Sequence, residues 1–359
     1  MGAISIQNHT ELIAKTIVGT FKENIPVRSG FDGFFMRETV STEMVDVQVQ
    51  RDTDLIAVDV MRFAEGNYNK RSKVTENKYI PPFFKEIYSF RRDEMYMSTI
   101  ARGILANDPD YQSIMQKALD NLNANRKKIE RAIRKQQAEV LQTGIVELKN
   151  GDSIDYRRKA PSMVDLGSGN YWNQTGKSPE ESLKDALRFL RDEGNSGAST
   201  ANVIMRGDAM SALLNNAKVQ DLLDNRRMQR GNIVAPQFNE VSGMAFHGQL
   251  SAGDFMVNLW TYNEKYTDAN GDTKHYLDRE NVVVLPEDFQ GKTVFGGLPA
   301  MRDINIQGQM TRVPQIVPSD FLIRAWYDER NIDSLLELTS APLVIPFTID
   351  KIYTMKVLA

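Results

Sequence analysis

The chain of 359 residues contains no cysteine and only three histidines. The absence of cysteine excludes disulfides, thiolate metal sites and cysteine nucleophiles, and it fits a protein made in a reducing cytosol. None of the three histidines, His9, His247 and His275, lies at ligand spacing from another histidine or from a carboxylate pair. A zinc site is therefore not expected.

Several other functional patterns are also missing. No window approaches the roughly 18 consecutive apolar residues of a membrane span, and no basic stretch followed by an apolar run opens the chain. We therefore expect a protein that remains in the compartment where it is made and has no membrane partner. Asp268 opens a segment like a calcium loop, but Thr273 and Arg279 stand where glycine and glutamate are needed. A hairpin turn is the better interpretation, and no cofactor motif is present.

The composition is that of an ordinary globular protein. Hydrophobic residues make up 41% and charged residues 25% of the chain, and the length suggests two domains. The net charge of −3 argues against a protein that binds nucleic acid over its whole surface.

Alternating residues predict a projecting β-arm in the first quarter of the chain. Val45, Val47 and Val49 alternate with polar residues, and the alternation resumes near Ile56 after a turn. A polar stretch from Gly66 to Lys78 follows, before Ile80-Pro81-Pro82 restarts an extended segment. A two-stranded arm is marginally stable in water, so we expect it to need a partner.

Two helices carry clear start signals. Asp108 and Pro109 begin a pattern of apolar residues at three- and four-residue steps that ends at Gly144, which predicts a rod of roughly 50 Å. Ser178 and Glu181 form a capping box for a second helix. A further helical stretch is predicted from about Asp208 to Arg227.

The long helix also carries a basic run. Its members are Arg126, Lys127, Lys128, Arg131, Arg134 and Lys135. They are candidates for contact with DNA phosphates or with a neighbouring subunit, although Glu130 and Glu139 interrupt the run and a solvated helix face is the commoner explanation.

Short segments spread over residues 30–359 resemble, in order and spacing, the major capsid proteins of tailed bacteriophages of the lambda-like E branch. The C-terminal segment is the most specific of them. The segments are Phe34-Phe35-Met36-Arg37-Glu38, Thr42-Glu43-Met44-Val45, Ile80-Pro81-Pro82, Asp108-Pro109 with Tyr111 two residues on, Tyr276-Leu277-Asp278 with Asn281-Val282-Val283-Val284-Leu285, and Ser340-Ala341-Pro342-Leu343-Val344-Ile345-Pro346.

The resemblance implies an α+β protein with the Hong Kong 97-type phage capsid fold. The implied divisions are an N-terminal arm at 1–33, the start of a peripheral domain at 34–51, an extended loop at 52–90, the peripheral domain with its spine helix at 91–177, an axial domain at 178–330, and a C-terminal return to the peripheral domain at 331–359.

The implied function is that of a structural protein and not an enzyme. Such a chain self-assembles into hexamers and pentamers of an icosahedral head shell that encloses packaged double-stranded DNA, and it does so in the host cytoplasm. The implied partners are further copies of itself, a separate scaffolding protein, a portal, a decoration protein and, non-specifically, DNA; no cofactor is implied. The implied contacts of the loop tip with a neighbour involve Gly66, Asn67, Tyr68, Lys70, Arg71, Lys73 and Lys78.

Three alternatives remain open at this point. An encapsulin-like nanocompartment would have the same fold but a surface for cargo. A soluble α+β enzyme would need an active site that none of the patterns reveals. A nucleic-acid-binding protein is disfavoured by the net acidity.

Overall fold

The protein was described as a computed structural model, which covers residues 30–50, 74–90, 109–148, 153–174, 176, 178–223, 231–268, 270–306, 309–328 and 333–359. The helices are α1 (Pro109–Thr143), α2 (Pro179–Asp192), α3 (Gly207–Asn215) and α4 (Ala217–Leu223). The strands are β1 (Phe35–Thr39), β2 (Val45–Gln50), β3 (Val74–Tyr79), β4 (Phe84–Phe90), β5 (Ile145–Glu147), β6 (Ser153–Asp155), β7 (Met163–Asp165), β8 (Thr200–Met205), β9 (Gly231–Asn239), β10 (Met244–Ala252), β11 (Phe255–Tyr262), β12 (Lys265–Thr267), β13 (Thr273–His275), β14 (Asn281–Pro286), β15 (Gly291–Phe295), β16 (Leu298–Ile306), β17 (Gln309–Val317), β18 (Leu322–Asp328), β19 (Asp333–Ser340), β20 (Pro342–Pro346) and β21 (Tyr353–Lys356).

A seven-stranded mixed sheet in the order β7-β21-β14-β8-β11-β10-β9 separates two apolar cores. Val282 and Val284 of β14 pack into the core under α2, whereas Val283 and Leu285 pack into the core that contains α1. Because both faces of β14 are covered, its sequence is a continuous apolar run and does not alternate.

The long helix is confirmed, with the predicted first and last turns. Its buried side chains include Ala118, Leu122, Ile129 and Ile133. Gly144, which follows the helix, has a φ of +74°, a conformation that favours glycine.

The C-terminal end of α1 is held by a buried arginine. Arg158 donates to the carbonyl oxygens of Leu141 and Gln142 at 3.1 and 3.3 Å, and to Ile352 O at 2.9 Å. Burial lowers the pKa of Arg158 to about 9, so the side chain stays charged at neutral pH. Its positive charge complements the negative end of the helix dipole.

The second helix is confirmed in detail. Ser178 Oγ accepts a hydrogen bond from Glu181 N at 3.1 Å, and Glu181 Oε2 accepts one from Ser178 N at 3.3 Å, which completes the capping box. The third predicted helix, over 208–227, is wrong as one element. It ends at Asn215, and Asn216 with ψ of 123° starts α4 by accepting from Lys218 N. Asparagine takes this capping role readily.

The two ends of the described chain meet in sheets that pack on α1. β15 pairs with β1 in parallel and with β20 antiparallel, and β19 lies between β18 and β4. Residues 291–328, which the domain prediction assigns to the axial domain, therefore share sheets with strands near both ends. The position of that domain boundary stays a prediction.

Candidate assembly surfaces

A two-stranded antiparallel ribbon, β2–β3, corresponds to the predicted β-arm. Val45 pairs with Tyr79 at its base and Gln50 pairs with Val74 at its far end. Within the described residues the ribbon hydrogen-bonds to no other strand. Its base is anchored because Val45 is buried and the ring of Tyr79 packs edge-on against Tyr156, with ring centroids 5.7 Å apart.

Most of the predicted tip residues lie outside the described residues. These are Gly66, Asn67, Tyr68, Lys70, Arg71 and Lys73. Lys78 lies in β3 opposite Asp46, so it belongs to the shaft of the ribbon. Four of the six residues of β3 are polar, which is why the sequence pattern did not separate this strand from the polar tip.

The six basic residues of α1 do not form one surface. Lys127, Lys128 and Arg131 are exposed and, together with Asp120 and Asn123, line a shallow groove on the outer side of the helix. The Lys128 ammonium lies 3.1 Å from Glu86 Oε2.

The other three basic residues are half-buried and directed to partners within the chain. Arg126 lies 3.7 Å from Glu130 and stacks over the ring of Phe321 at 5.1 Å. Lys135 pairs with Glu139 at 2.9 Å, and Arg134 lies beside the phenols of Tyr262 and Tyr276. Only the exposed three remain accessible for contact with DNA or another subunit.

A buried ion-pair cluster that the sequence did not reveal fixes β1 to α1. The guanidinium of Arg37 forks onto Glu130, with Nη1–Oε1 of 3.2 Å and Nη2–Oε2 of 2.7 Å, and also reaches Asp32 at 3.1 Å. Burial would lower the pKa of Arg37, but the two carboxylates outweigh it and raise the pKa. Gln137 completes the cluster by donating to Asp32 Oδ1 at 3.0 Å and to Thr293 Oγ1 at 3.3 Å.

Asp268, from the segment that resembles a calcium loop, and His247 have partners within the chain. Asp268 Oδ1 accepts from the backbone N–H groups of Asn270 and Asp272, and Oδ2 lies 2.6 Å from Lys274 Nζ. The hydrogen bond from Lys274 is the main cause of the lowered pKa of Asp268. His247 Nε2 is 2.9 Å from Thr261 Oγ1, and His275 lies in β13; His9 is outside the described residues.

The part of the chain that the structure describes contains no group of three or more His, Asp or Glu side chains arranged to hold a metal ion. Among the same residues, no helix is both long enough and apolar enough to cross a membrane.

Comparison with known proteins gives a consistent assignment. Residues 20–357 match the family model of phage major capsid protein E. A crystal structure described as that of a prophage capsid protein from Escherichia coli superimposes with a TM-score of 0.62 at 17% identity, covering 96% of this chain and 99% of that chain. The capsid subunit of cyanophage A-1(L) gives a TM-score of 0.48 at 10% identity, with 93% and 94% covered.

An encapsulin from Synechococcus elongatus also resembles the chain, with a TM-score of 0.45, 11% identity and 95% of each chain covered. No curated protein matches the sequence. The match to the prophage protein confirms the predicted Hong Kong 97-type capsid fold, and the encapsulin alternative fits less well than a phage capsid protein.

Proposed function

This chain belongs to the phage major capsid protein E family, and from that premise we propose that it assembles into hexamers and pentamers of an icosahedral DNA-containing head. Members of the family are shell-forming structural proteins of the virion and not enzymes. The proposal concerns how the copies are joined and which other molecules they contact.

The observation that carries the proposal is the isolated β2–β3 ribbon. Six residue pairs extend from the body of the subunit, and no further strand among the described residues supports them. Isolated two-stranded ribbons are marginal in water, so this ribbon gains stability by lying on another molecule. In a shell built from one chain, the adjacent molecule is a second copy.

We assign the contact with that neighbour to the residues between the two strands. Gly66, Asn67, Tyr68, Lys70, Arg71 and Lys73 lie in this connection, with Lys78 in the shaft below it. Basic and polar side chains give contacts that are individually modest, which keeps assembly reversible while errors are corrected.

The proposal also includes partners other than a second copy of the chain. A separate scaffolding protein and a portal act during assembly in the host cytoplasm, and a decoration protein binds the finished shell. The exposed Lys127, Lys128 and Arg131 contact packaged DNA non-specifically or meet acidic side chains of a neighbour. Residues 178–330, which contain α2 and five strands of the seven-stranded sheet, form the axial domain, at the centre of each capsomer.

Deleting residues 66–73 tests the proposal while leaving both strands of the ribbon intact. We expect a folded subunit with an unchanged circular dichroism spectrum that forms few shells by size-exclusion chromatography and negative-stain electron microscopy. A second variant replaces the same eight residues with glycine and serine, which keeps the length of the connection and removes its side chains, and it should form equally few shells.

Each variant is expressed with and without a scaffolding protein, beside the unmodified chain. Normal shells from the deletion would contradict the assigned contact. An unmodified chain that remains monomeric under both conditions would contradict the proposed assembly itself.

A further inference from the structure

A second unsupported ribbon, β16–β17, starts beside the first. Nine consecutive residue pairs join its strands, from Leu298–Val317 to Ile306–Gln309, and it hydrogen-bonds to no other strand in the described part of the chain. At about 3.3 Å per residue it is roughly 30 Å long. The same stability argument applies to it as to β2–β3.

Two glycines bring the bases of the two ribbons together. Gly297 N donates to Thr42 O at 2.9 Å, just before β2 begins. A Cβ at Gly296 would lie 3.1 Å from Pro81 Cγ, and one at Gly297 would collide with Ile316 and lie 3.1 Å from the Ser41 carbonyl. A side chain at either position would therefore push neighbouring groups apart, so the two glycines allow the close approach of the ribbon bases.

The surface around these glycines is apolar and exposed. Five of the fourteen large apolar side chains that are exposed in the described residues lie at or near this point, each between 45% and 65% exposed. We call them, with two exposed prolines on the same face of β16–β17, the ribbon-root patch: Met44, Ile80, Phe83, Pro299, Met301, Pro314 and Ile316. Concentrated exposed apolar surface of this kind marks an interaction site.

The register shows that the β16–β17 part of the patch is a single face. Pro299 pairs with Ile316 and Met301 pairs with Pro314, two positions further along each strand. Residues two apart on a strand, and residues directly opposite each other, point to the same side of a ribbon. The four side chains therefore form one apolar face next to the base of β2–β3.

The two prolines restrict how a partner can bind. Proline has no N–H, so in a paired strand it occupies positions whose N–H would point away from the ladder. Pro299 and Pro314 thus remove an outward donor from each edge of β16–β17 near its base. Addition of a further strand is disfavoured there, and contact through the apolar face is left.

We propose that the ribbon-root patch is an interface on which a second copy of this chain docks face-on, through apolar side chains and without strand addition. The inference rests on the proposed shell assembly, in which the neighbour of each subunit is an identical chain. The patch is continuous with the base of the β2–β3 ribbon, which the proposed function already places on a neighbour. One surface of each copy then meets a different surface of the next, as in rings and closed shells.

The absence of cysteine allows a direct test. In the variant Met301→Cys the new thiol is the only one in the chain. We expect it to react rapidly with a maleimide in unassembled subunits and at least about tenfold more slowly in shells, because thiol reactivity requires access. Equal reactivity in both forms would overturn the proposal. Protection already present in the unassembled subunit would also overturn it, because a segment of the same chain would then cover the patch.

A charge substitution provides the second measurement. We expect Met301→Lys to give folded subunits, by circular dichroism and thermal melting, and about tenfold fewer shells, because burying an unpaired charge is unfavourable. Met36→Lys is the matched control, since Met36 is similarly exposed on β1 and lies outside both the patch and the seven-stranded sheet. Wild-type yields of shells from Met301→Lys would contradict the interface. Failure of the unmodified chain to form shells would instead contradict the proposed function.

Discussion

Removal of the Arg37 guanidinium should destabilise the subunit more than most single substitutions. Arg37 holds β1 against α1 through its two contacts with Glu130 and one with Asp32. In Arg37→Met the side chain keeps most of its length and loses its charge. Glu130, whose side chain is only 6% exposed, then remains buried with Arg126 as its nearest cation, 3.7 Å away.

The size of the effect follows from that geometry. Breaking a buried ion pair by removing one partner costs about 3–5 kcal/mol, because the other charge is left uncompensated. The Arg37 side chain is 21% exposed, so in the variant water can partly solvate the Glu130 carboxylate, and Arg126 compensates part of its charge. We therefore expect a loss of about 3 kcal/mol in the free energy of unfolding, at the lower end of that range. The stability of Arg37→Lys should lie between those of the unmodified chain and Arg37→Met, because lysine keeps the charge but cannot donate to both oxygens of Glu130.

Urea unfolding of unassembled subunits, followed by circular dichroism, measures the change. In the double variant Arg37→Met/Glu130→Met both charges are absent, so its loss should be smaller than the sum of the two single losses by about 2 kcal/mol. Arg188→Met, on the exposed face of α2, is the control and should change stability by less than about 0.5 kcal/mol. A loss below about 1 kcal/mol for Arg37→Met, or strict additivity in the cycle, would refute the argument.

Two further predictions concern surface charges. Asp288 accepts hydrogen bonds from Lys351 Nζ at 2.6 Å and Ser196 Oγ at 2.8 Å; burial opposes its ionisation, but these bonds outweigh burial and lower its pKa. A lowered carboxyl pKa stabilises the fold above the unfolded pKa, so Asp288→Asn should cost about 1 kcal/mol at pH 7. In urea melts at several pH values this cost should shrink below about pH 4 and vanish only as the pH falls through the lowered pKa of the folded state. A difference that persisted at low pH would contradict this assignment. If Lys127 and Arg131 contact DNA phosphates, Lys127→Gln/Arg131→Gln should reduce the salt dependence of duplex binding by about 2 in log–log slope, measured by fluorescence anisotropy. An unchanged slope would exclude both side chains from phosphate contact.

The elements that the sequence predicts well are those with local signals. The helix from Pro109 and the capping box at Ser178 depend on residues within one turn of each other, and both are confirmed. Alternation predicted β2, but the return strand was expected from Ile80, whereas β3 (Val74–Tyr79) lies largely within the stretch predicted as the polar tip. The family and its fold were recognised from the order and spacing of motifs along one chain, none of which is distinctive alone.

Other features could not be predicted because they depend on side chains that are distant in sequence. Arg37 and Glu130 are 93 residues apart, and nothing near either residue indicates the pairing. The basic run on α1 showed six cations, but the helix period alone does not say which side packs against Phe321 and Glu139. The β16–β17 ribbon was missed because its strands contain two prolines, which normally argue against paired strands.

The sequence by itself determined the class of protein, the long helix, the second helix with its cap and the first strand of the arm, β2, because spacing and capping residues act within a few positions of the chain. The tertiary structure decided which cations are accessible, which two carboxylates Arg37 binds, and that two ribbons emerge from one apolar surface. Those outcomes depend on the path that brings Thr42, Pro81 and Gly297 together. Burial and long-range pairing follow from the path of the chain through the fold, and a pattern of neighbouring residues does not specify that path.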